Sequence, residues 1–167
     1  DFDFIKVTPN SNYCVEGYGA IANWRGNEEG TYVWGERVIQ SPQDWENLTP
    51  LDPSQGLLAE VIEANRIIGN AVGDEVPFIS TIFNPLAQAK NLAGERLLAD
   101  LRQHPAAVLK GLATITESIL RFIDVLKSTR AAGIFLALQH ASYDLLTAEE
   151  YRTFGRPFDL KILEATA

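Results

Sequence analysis

The sequence is poor in sulfur and has no long apolar run. It contains one cysteine, Cys14, and no methionine. A single cysteine forms no internal disulfide, so the sequence predicts a reducing, cytoplasmic setting. The absence of about 18 consecutive apolar residues excludes a membrane span. The first residues, DFDFIKV, lack the basic start and apolar core of a signal peptide.

Basic residues are also scarce, with 14 lysines and arginines against 22 acidic residues and a net charge of −8. This balance excludes a broad basic face for nucleic acid, but it allows a local basic pocket for an acidic small molecule. A phosphate-binding glycine loop is missing too, since Gly17, Gly19 and Gly26 have the wrong spacing for a dinucleotide site. We therefore expect no nucleic acid and no membrane as partners, and the strand ends described below lead us to expect a small-molecule substrate.

The rest of the sequence alternates β-prone and helical segments, and its 167 residues suffice for one domain over 1–167. Strands are predicted at 3–8, 76–83 and 131–139, with a strand or half a hairpin at 31–39. Helices are predicted at 41–48, 57–68, 95–103, 105–130, 147–154 and 158–165. Alternating elements of this kind predict parallel strands with right-handed crossovers. Segment 131–139 should be buried on both faces.

Polar residues follow each of the three predicted parallel strands, at Thr8-Pro9-Asn10, Phe83-Asn84-Pro85 and Gln139-His140-Ala141-Ser142. A doubly wound sheet and a (β/α)₈ barrel both fit, and in both the ligand lies at the carboxyl ends of the strands. We expect Asn84-Pro85 to form a loop at this edge. His140 is the candidate general acid or base because imidazole titrates near neutral pH; a structural imidazole is the alternative.

Further candidates have two interpretations each. Asn10 either lines a polar cleft or makes an Asx turn. Arg25, which flanks the long loop with Trp24 and Trp34, either pairs with a ligand carboxylate or belongs to a lid or subunit interface. Lys90 meets an acidic ligand or points to solvent. Tyr143 is a residue of the edge or starts a turn.

The long stretch from VPFISTIFNPLAQAKNLAG to LTAEEYRTFGRPF resembles the middle of the uroporphyrinogen decarboxylase superfamily. The shared pattern is a strand ending in a Pro-containing loop, then an L-x-G and a short helix. A His-Pro then opens a long helix, an Ala-Gly leads into a strand, and a Ser … Leu-(Ser/Thr)-x-x-x-(Tyr/Phe)-x-x-Phe … Pro segment follows. DFDFIKVTPNSNYCVEGYGA resembles the second strand of that family and its following loop.

That resemblance implies an α/β fold of the (β/α)₈ TIM-barrel type, a homodimer, and a deep cleft at the strand ends. A complete barrel takes about 250 residues, so we expect only part of it here, about the second to fourth strands. The arginine-rich motif of the family would precede residue 1, and its C-terminal histidine would follow residue 167.

The resemblance implies a lyase that decarboxylates a tetrapyrrole-related, multi-carboxylate substrate without a cofactor. The family aspartate falls on Asn10, which carries no charge, and the family tyrosine falls near Lys90 or Asn91. A substrate-contacting serine matches Ser142. Our predicted site therefore has two catalytic residues, Asn10 and His140, no metal, and five substrate-binding residues: Ser142, Asn84, Lys90, Arg25 and Tyr143.

Two alternatives remain open. The other branch of the superfamily resembles corrinoid-linked methyltransferases, which bind zinc through a His-x-Cys pair and a later Cys; those ligands would lie beyond residue 167. Zinc or a corrinoid is expected only under this alternative. The second alternative is a non-catalytic relative that binds a small molecule.

Overall fold

A three-stranded parallel sheet forms the centre of the fold in this computed structural model, which describes residues 3–26, 28, 32–72 and 75–166. Its strands are β1 (Ile5–Val7), β4 (Phe78–Phe83) and β5 (Gly133–Ala137), in the order β1-β4-β5. In the register, Val7 lies opposite Ser80 and Phe83 lies opposite Ala137. The predicted parallel pairing is confirmed, so the three carboxyl ends share one edge of the sheet.

Seven helices are described, and several pack on one face of this sheet. They are α1 (Pro42–Asn47), α2 (Gly56–Val72), α3 (Pro85–Ala93), α4 (Arg96–Gln103), α5 (Pro105–Leu126), α6 (Ala148–Phe154) and α7 (Arg156–Glu164). The apolar stripe of α5 is buried, as its 3.6-residue period predicts. The long helix predicted over 105–130 ends at Leu126 and continues as a 3₁₀ turn, Lys127–Thr129. None of the described helices is long and apolar enough to cross a membrane.

The two faces of the sheet differ in burial because successive strand residues point to opposite sides. Phe78 and Ile82 belong to the buried core. On the other face the Lys6 ammonium lies 4.4 Å from the centre of the Phe135 ring. The prediction that segment 131–139 is buried on both faces is wrong for this part of the chain. Phe135 is 43% exposed, because no layer among the described residues covers that face.

An antiparallel hairpin follows β1, where the sequence predicts a long loop over 17–30. It pairs β2 (Ala22–Trp24) with β3 (Tyr32–Trp34), so the predicted half-hairpin in 31–39 is confirmed for the described residues. Residues 27 and 29–31 lie outside the described part of the chain. The Trp24 and Tyr32 rings are 5.6 Å apart, and both side chains are exposed. The hairpin stands apart from the parallel sheet.

The segment at Asn84-Pro85 corrects a prediction, because it is a helix start and not a loop. The side-chain oxygen of Asn84 accepts a hydrogen bond from the Ala87 amide at 3.2 Å, and Pro85 occupies the first helical position. Asparagine is a preferred N-cap, and the fixed φ of proline suits the first turn. The small residues after Pro85 therefore continue as α3 until Gly94, whose φ is +62°.

A buried indole joins α1, α4 and α5. Trp45 has no exposed surface, and its Nε1 donates to Asp100 Oδ2 at 2.8 Å. Arg96 Nε donates to the same oxygen at 2.8 Å. A Cβ built on Gly111 would lie 2.7 Å from Trp45 Cε3, so glycine is required where the indole meets α5.

Candidate active site

His140 follows β5 in an unusual backbone conformation. Its φ is +66°, in the left-handed region, which costs a residue with a side chain about 1–2 kcal/mol. The imidazole is half-buried, and Nδ1 is buried with no hydrogen-bond partner among the residues that the structure describes. Burial lowers the pKa of His140, and the charge of Lys90 adds to this effect while Glu95 opposes it. The lowered pKa therefore favours the neutral imidazole at pH 7.

Charged side chains from separate parts of the chain surround His140. Lys90, on α3, forms an ion pair with Glu95, which lies between α3 and α4. The Lys90 hydrogen bond lowers the pKa of Glu95, and the charges of Arg37 and His140 contribute as well. The Arg37 guanidinium carbon is 5.2 Å from the centre of the Trp34 ring. We call Arg37, Lys90, Glu95 and His140 the edge cluster.

Asn10 lies in the adjacent connection after β1. Its side-chain oxygen accepts from the Asn12 amide at 3.1 Å and caps the 3₁₀ turn Ser11–Cys14. The predicted Asx-type interaction is therefore present. The next residue, Ser11, meets Asn91 of α3, with 3.4 Å between Ser11 Oγ and Asn91 Nδ2. This contact places the Asn10 segment beside the helix that carries Lys90.

Asn84 lies under the edge and has no exposed surface. Its Oδ1 accepts from the amides of Ala87, at 3.2 Å, and Gln139, at 3.1 Å. Its Nδ2 donates to Asp159 Oδ1 at 3.3 Å. Asn84 thus joins the ends of β4 and β5 to α7, and its substrate contact remains a prediction.

Ser142 and Tyr143 lie beyond His140 on the same connection. The Ser142 hydroxyl donates to Asp144 Oδ2 at 3.3 Å and also accepts from the Asp144 amide. Tyr143 is 88% exposed. Both residues line a cavity of about 310 Å³, together with Tyr151, Arg152 and Arg156. The structure thus groups Lys90 with His140, and Ser142 with Tyr143.

Arg25 does not join these groups. It is exposed after β2, and no contact from it to another predicted site residue is present in the described part of the chain. Arg37 instead stacks on Trp34, and its Nη1 donates to the Asn91 carbonyl at 2.7 Å. Sequence reasoning missed Arg37 and Glu95. The three-residue spacing from Trp34 to Arg37 was the available signal for the stacked arginine.

The described residues do not provide a zinc site. They contain no group of three or more His, Cys, Asp and Glu side chains that could hold a metal ion. Cys14 is buried, and its thiol donates to the Ser11 carbonyl. Burial raises the pKa of the Cys14 thiol well above its usual value, which opposes the thiolate that metals bind.

The sequence is similar to a known family and to two curated proteins. The family described as Uroporphyrinogen decarboxylase (URO-D) matches residues 25–167. Two curated relatives are named Methylcobamide:CoM methyltransferase MtbA. The one from Methanosarcina acetivorans is 23% identical over 130 residues, covering 78% of this chain and 38% of the relative. The one from Methanosarcina mazei is 20% identical over 127 residues, covering 76% and 38%.

A solved methyltransferase from Methanosarcina mazei has a similar fold. It superposes with a TM-score of 0.85 at 20% identity, covering 98% of this chain and 49% of that protein. The predicted partial (β/α)₈ barrel is thereby confirmed. This chain spans less than half the length of each of these relatives. The family match covers most of the sequence, and the chain belongs to the uroporphyrinogen decarboxylase family.

Proposed function

We propose that the protein transfers a methyl group between a corrinoid and a thiol acceptor, and that the edge cluster contributes to this reaction. Within the superfamily, this function agrees better with the relatives than decarboxylation does. Both curated relatives are named as methyltransferases acting on methylcobamide and CoM. The solved protein of similar fold is a methyltransferase too.

The observation that carries the proposal is the charge at the sheet edge. Asn10 stands where the resemblance to decarboxylases implies an aspartate. Two unit charges about 4 Å apart interact by about 4 kcal/mol at an effective dielectric of 20, and an amide at residue 10 forgoes that stabilisation of a cationic intermediate. Among the edge cluster, the single carboxylate, Glu95, is already paired with Lys90. The cluster therefore suits an anionic reactant better than a developing cation.

The chain's own residues would handle the acceptor. The neutral imidazole of His140 would take the proton of the acceptor thiol, and the resulting thiolate would accept the methyl group. Arg37 and Lys90 would orient an acidic part of the acceptor. A bound corrinoid would supply the methyl group. We assign zinc to no residue here, because the described donors do not fit it.

The test uses the protein expressed from its complete reading frame. Methylcobalamin and coenzyme M are supplied together, and the absorbance of methylcobalamin is followed. We expect thiol-dependent demethylation, lowered on the order of 100-fold in His140→Gln, as is typical for loss of a general base. His104→Gln is the matched control, since His104 is exposed at the start of α5, and it should retain full activity.

A parallel assay with uroporphyrinogen tests the decarboxylase. Release of CO₂ without demethylation, increased by Asn10→Asp, would overturn the proposal in favour of decarboxylation. Binding of methylcobalamin without either reaction would favour the non-catalytic relative. The homodimer implied by the family resemblance is also part of the proposal, and sedimentation of the same preparation measures it.

A further inference from the structure

Asp159 is a buried carboxylate whose surroundings resemble no ordinary ion pair. It lies on α7 and is 4% exposed. Tyr151 donates its hydroxyl to Asp159 Oδ2 at 2.8 Å, and Asn84 Nδ2 donates to Oδ1 at 3.3 Å. Both donors are neutral. Burial raises the pKa of Asp159, and these two hydrogen bonds only partly oppose that effect. A carboxylate in such a place requires an explanation other than charge pairing.

The Asp159 carboxylate fixes the orientation of the Asn84 amide. An ionised carboxylate only accepts hydrogen bonds, so the NH₂ end of Asn84 must face it. The oxygen end then faces the two backbone amides that it serves, those of Ala87 and Gln139. A rotated Asn84 amide would place hydrogen atoms against both N–H groups. The Asp159 carboxylate and the two backbone N–H groups therefore favour the same orientation of the Asn84 amide, which links the end of β5 to α7.

Gln139 immediately precedes His140, where the backbone enters the left-handed region. A residue with a side chain keeps that conformation only where its surroundings enforce it. The Asn84 side chain engages both peptide groups that flank the Gln139 Cα, accepting from the Gln139 N–H at 3.1 Å and donating to the Gln139 carbonyl at 3.4 Å. The backbone N–H of Asn84 also donates to the Ala137 carbonyl at 3.2 Å. These bonds fix the peptide that leads into His140.

We propose that Asp159 is a positioning residue: through Asn84 it holds the Gln139 peptide, and thereby sets the left-handed turn and the direction of the His140 imidazole. Asp159 itself lies too deep to touch a substrate. The importance of His140 for catalysis rests on the proposed function, but its placement does not.

Nuclear magnetic resonance of the His140 imidazole tests the positioning role of Asp159. The experiment uses the protein expressed from its complete reading frame. The signals are assigned by their loss in His140→Gln. In Asp159→Asn, which keeps the shape but adds a donor, we expect the His140 signals to shift and broaden. Tyr151→Phe removes one of the two donors and leaves the Asn84 contact, so it should shift them less.

Asp100→Asn is the matched control because Asp100 is equally buried, at 2%, but is bound by Arg96 and Trp45 and has no hydrogen bond to Asn84 or Gln139 among the described residues. It should lower the melting temperature and leave the His140 signals unchanged. Unchanged His140 signals in a folded Asp159→Asn protein would overturn the inference.

The methyl-transfer assay adds a second readout. Asp159→Asn should lower kcat roughly 10- to 100-fold, as for other residues that orient a reactive group, with little change in the KM for the thiol. If the protein transfers no methyl group, the proposed function fails, while the magnetic resonance result still decides the role of Asp159.

Discussion

Two buried aspartates show how the same residue type serves different regions of this molecule. Asp100 lies in the helical layer, where a cation, Arg96, and the Trp45 indole bind it. Asp159 lies behind the sheet edge and receives hydrogen bonds from Tyr151 and Asn84. The first carboxylate joins helices to one another. The second is tied to the strand end that carries His140. Burial alone therefore does not tell a stabilising carboxylate from a positioning one; the partners do.

The largest effect should come from the indole that anchors the first region. Trp45→Ala removes a fully buried side chain and leaves Asp100 without one donor. We expect a loss of about 3–5 kcal/mol in the free energy of unfolding, measured by urea denaturation. The His140 signals should not move at low denaturant. A loss below about 1 kcal/mol would mean that Trp45 does not anchor this region.

A direct contrast of the two aspartates should give the next largest effect. Asp100→Asn weakens a charge-assisted contact with Arg96 and should cost about 1–3 kcal/mol. Asp159→Asn removes a charge that burial disfavours and should change the free energy of unfolding by less than about 1 kcal/mol. Thermal and urea unfolding of both variants measure the difference. Equal losses would remove the distinction between the regions.

The pH dependence of the free energy of unfolding should show the effect of the lowered pKa of His140. Because burial and Lys90 lower its folded-state pKa, the unfolded chain binds the proton more tightly. The stability from neutral His140 is thus fully present above the unfolded value of about 6.5 and is lost as pH falls through the folded pKa. His140→Asn, which tolerates left-handed φ, should flatten the decline in unfolding free energy on acidification. An unchanged decline would contradict this, and His104→Gln is the control.

The smallest effect should come from an exposed ion pair in the helical layer. Arg121 Nε donates to Glu117 Oε1 at 2.9 Å, and both side chains are about half exposed. Glu117→Gln should cost less than about 0.5 kcal/mol in urea denaturation, and the cost should shrink further in high salt. A cost as large as that of Asp100→Asn would show that exposed ion pairs stabilise the helical layer as much as its buried contacts do.

The sequence predicts the parallel sheet well because β4 and β5 are apolar runs, β1 is a short β-prone segment, and polar residues follow each strand at its carboxyl end. It also predicts α5 and the helix at 147–154, which the structure contains as α6 with a capping box of Thr147 and Glu150, since both helices depend on local spacing. It does not predict α3, because Asn-Pro starts helices as readily as it forms turns. Strand β2 was missed as well, since a three-residue hairpin strand carries little periodic signal.

The site was only partly predictable, because some of its residues meet only in the folded chain. His140 is predictable as a titratable residue at a strand end, and Lys90 as the position near which the family tyrosine falls. Arg37 joins the edge cluster through its distant contact with Asn91 on α3, which the sequence does not specify. Its spacing from Trp34 and the proximity of Glu95 to Lys90 are local, but neither spacing identifies a site without the fold. Asp159 reads as an ordinary helix residue, because its link to Asn84 spans 75 positions.

The β2–β3 hairpin has a consequence for diversification within the family. It shares no ladder with the parallel strands, yet its last residue, Trp34, supports Arg37 at the edge. We expect substitutions or length changes in the hairpin to leave the register of the parallel strands unchanged and to alter the support of Arg37 at the edge. We therefore expect closely similar barrels to differ most in this appendage when they accept different reactants.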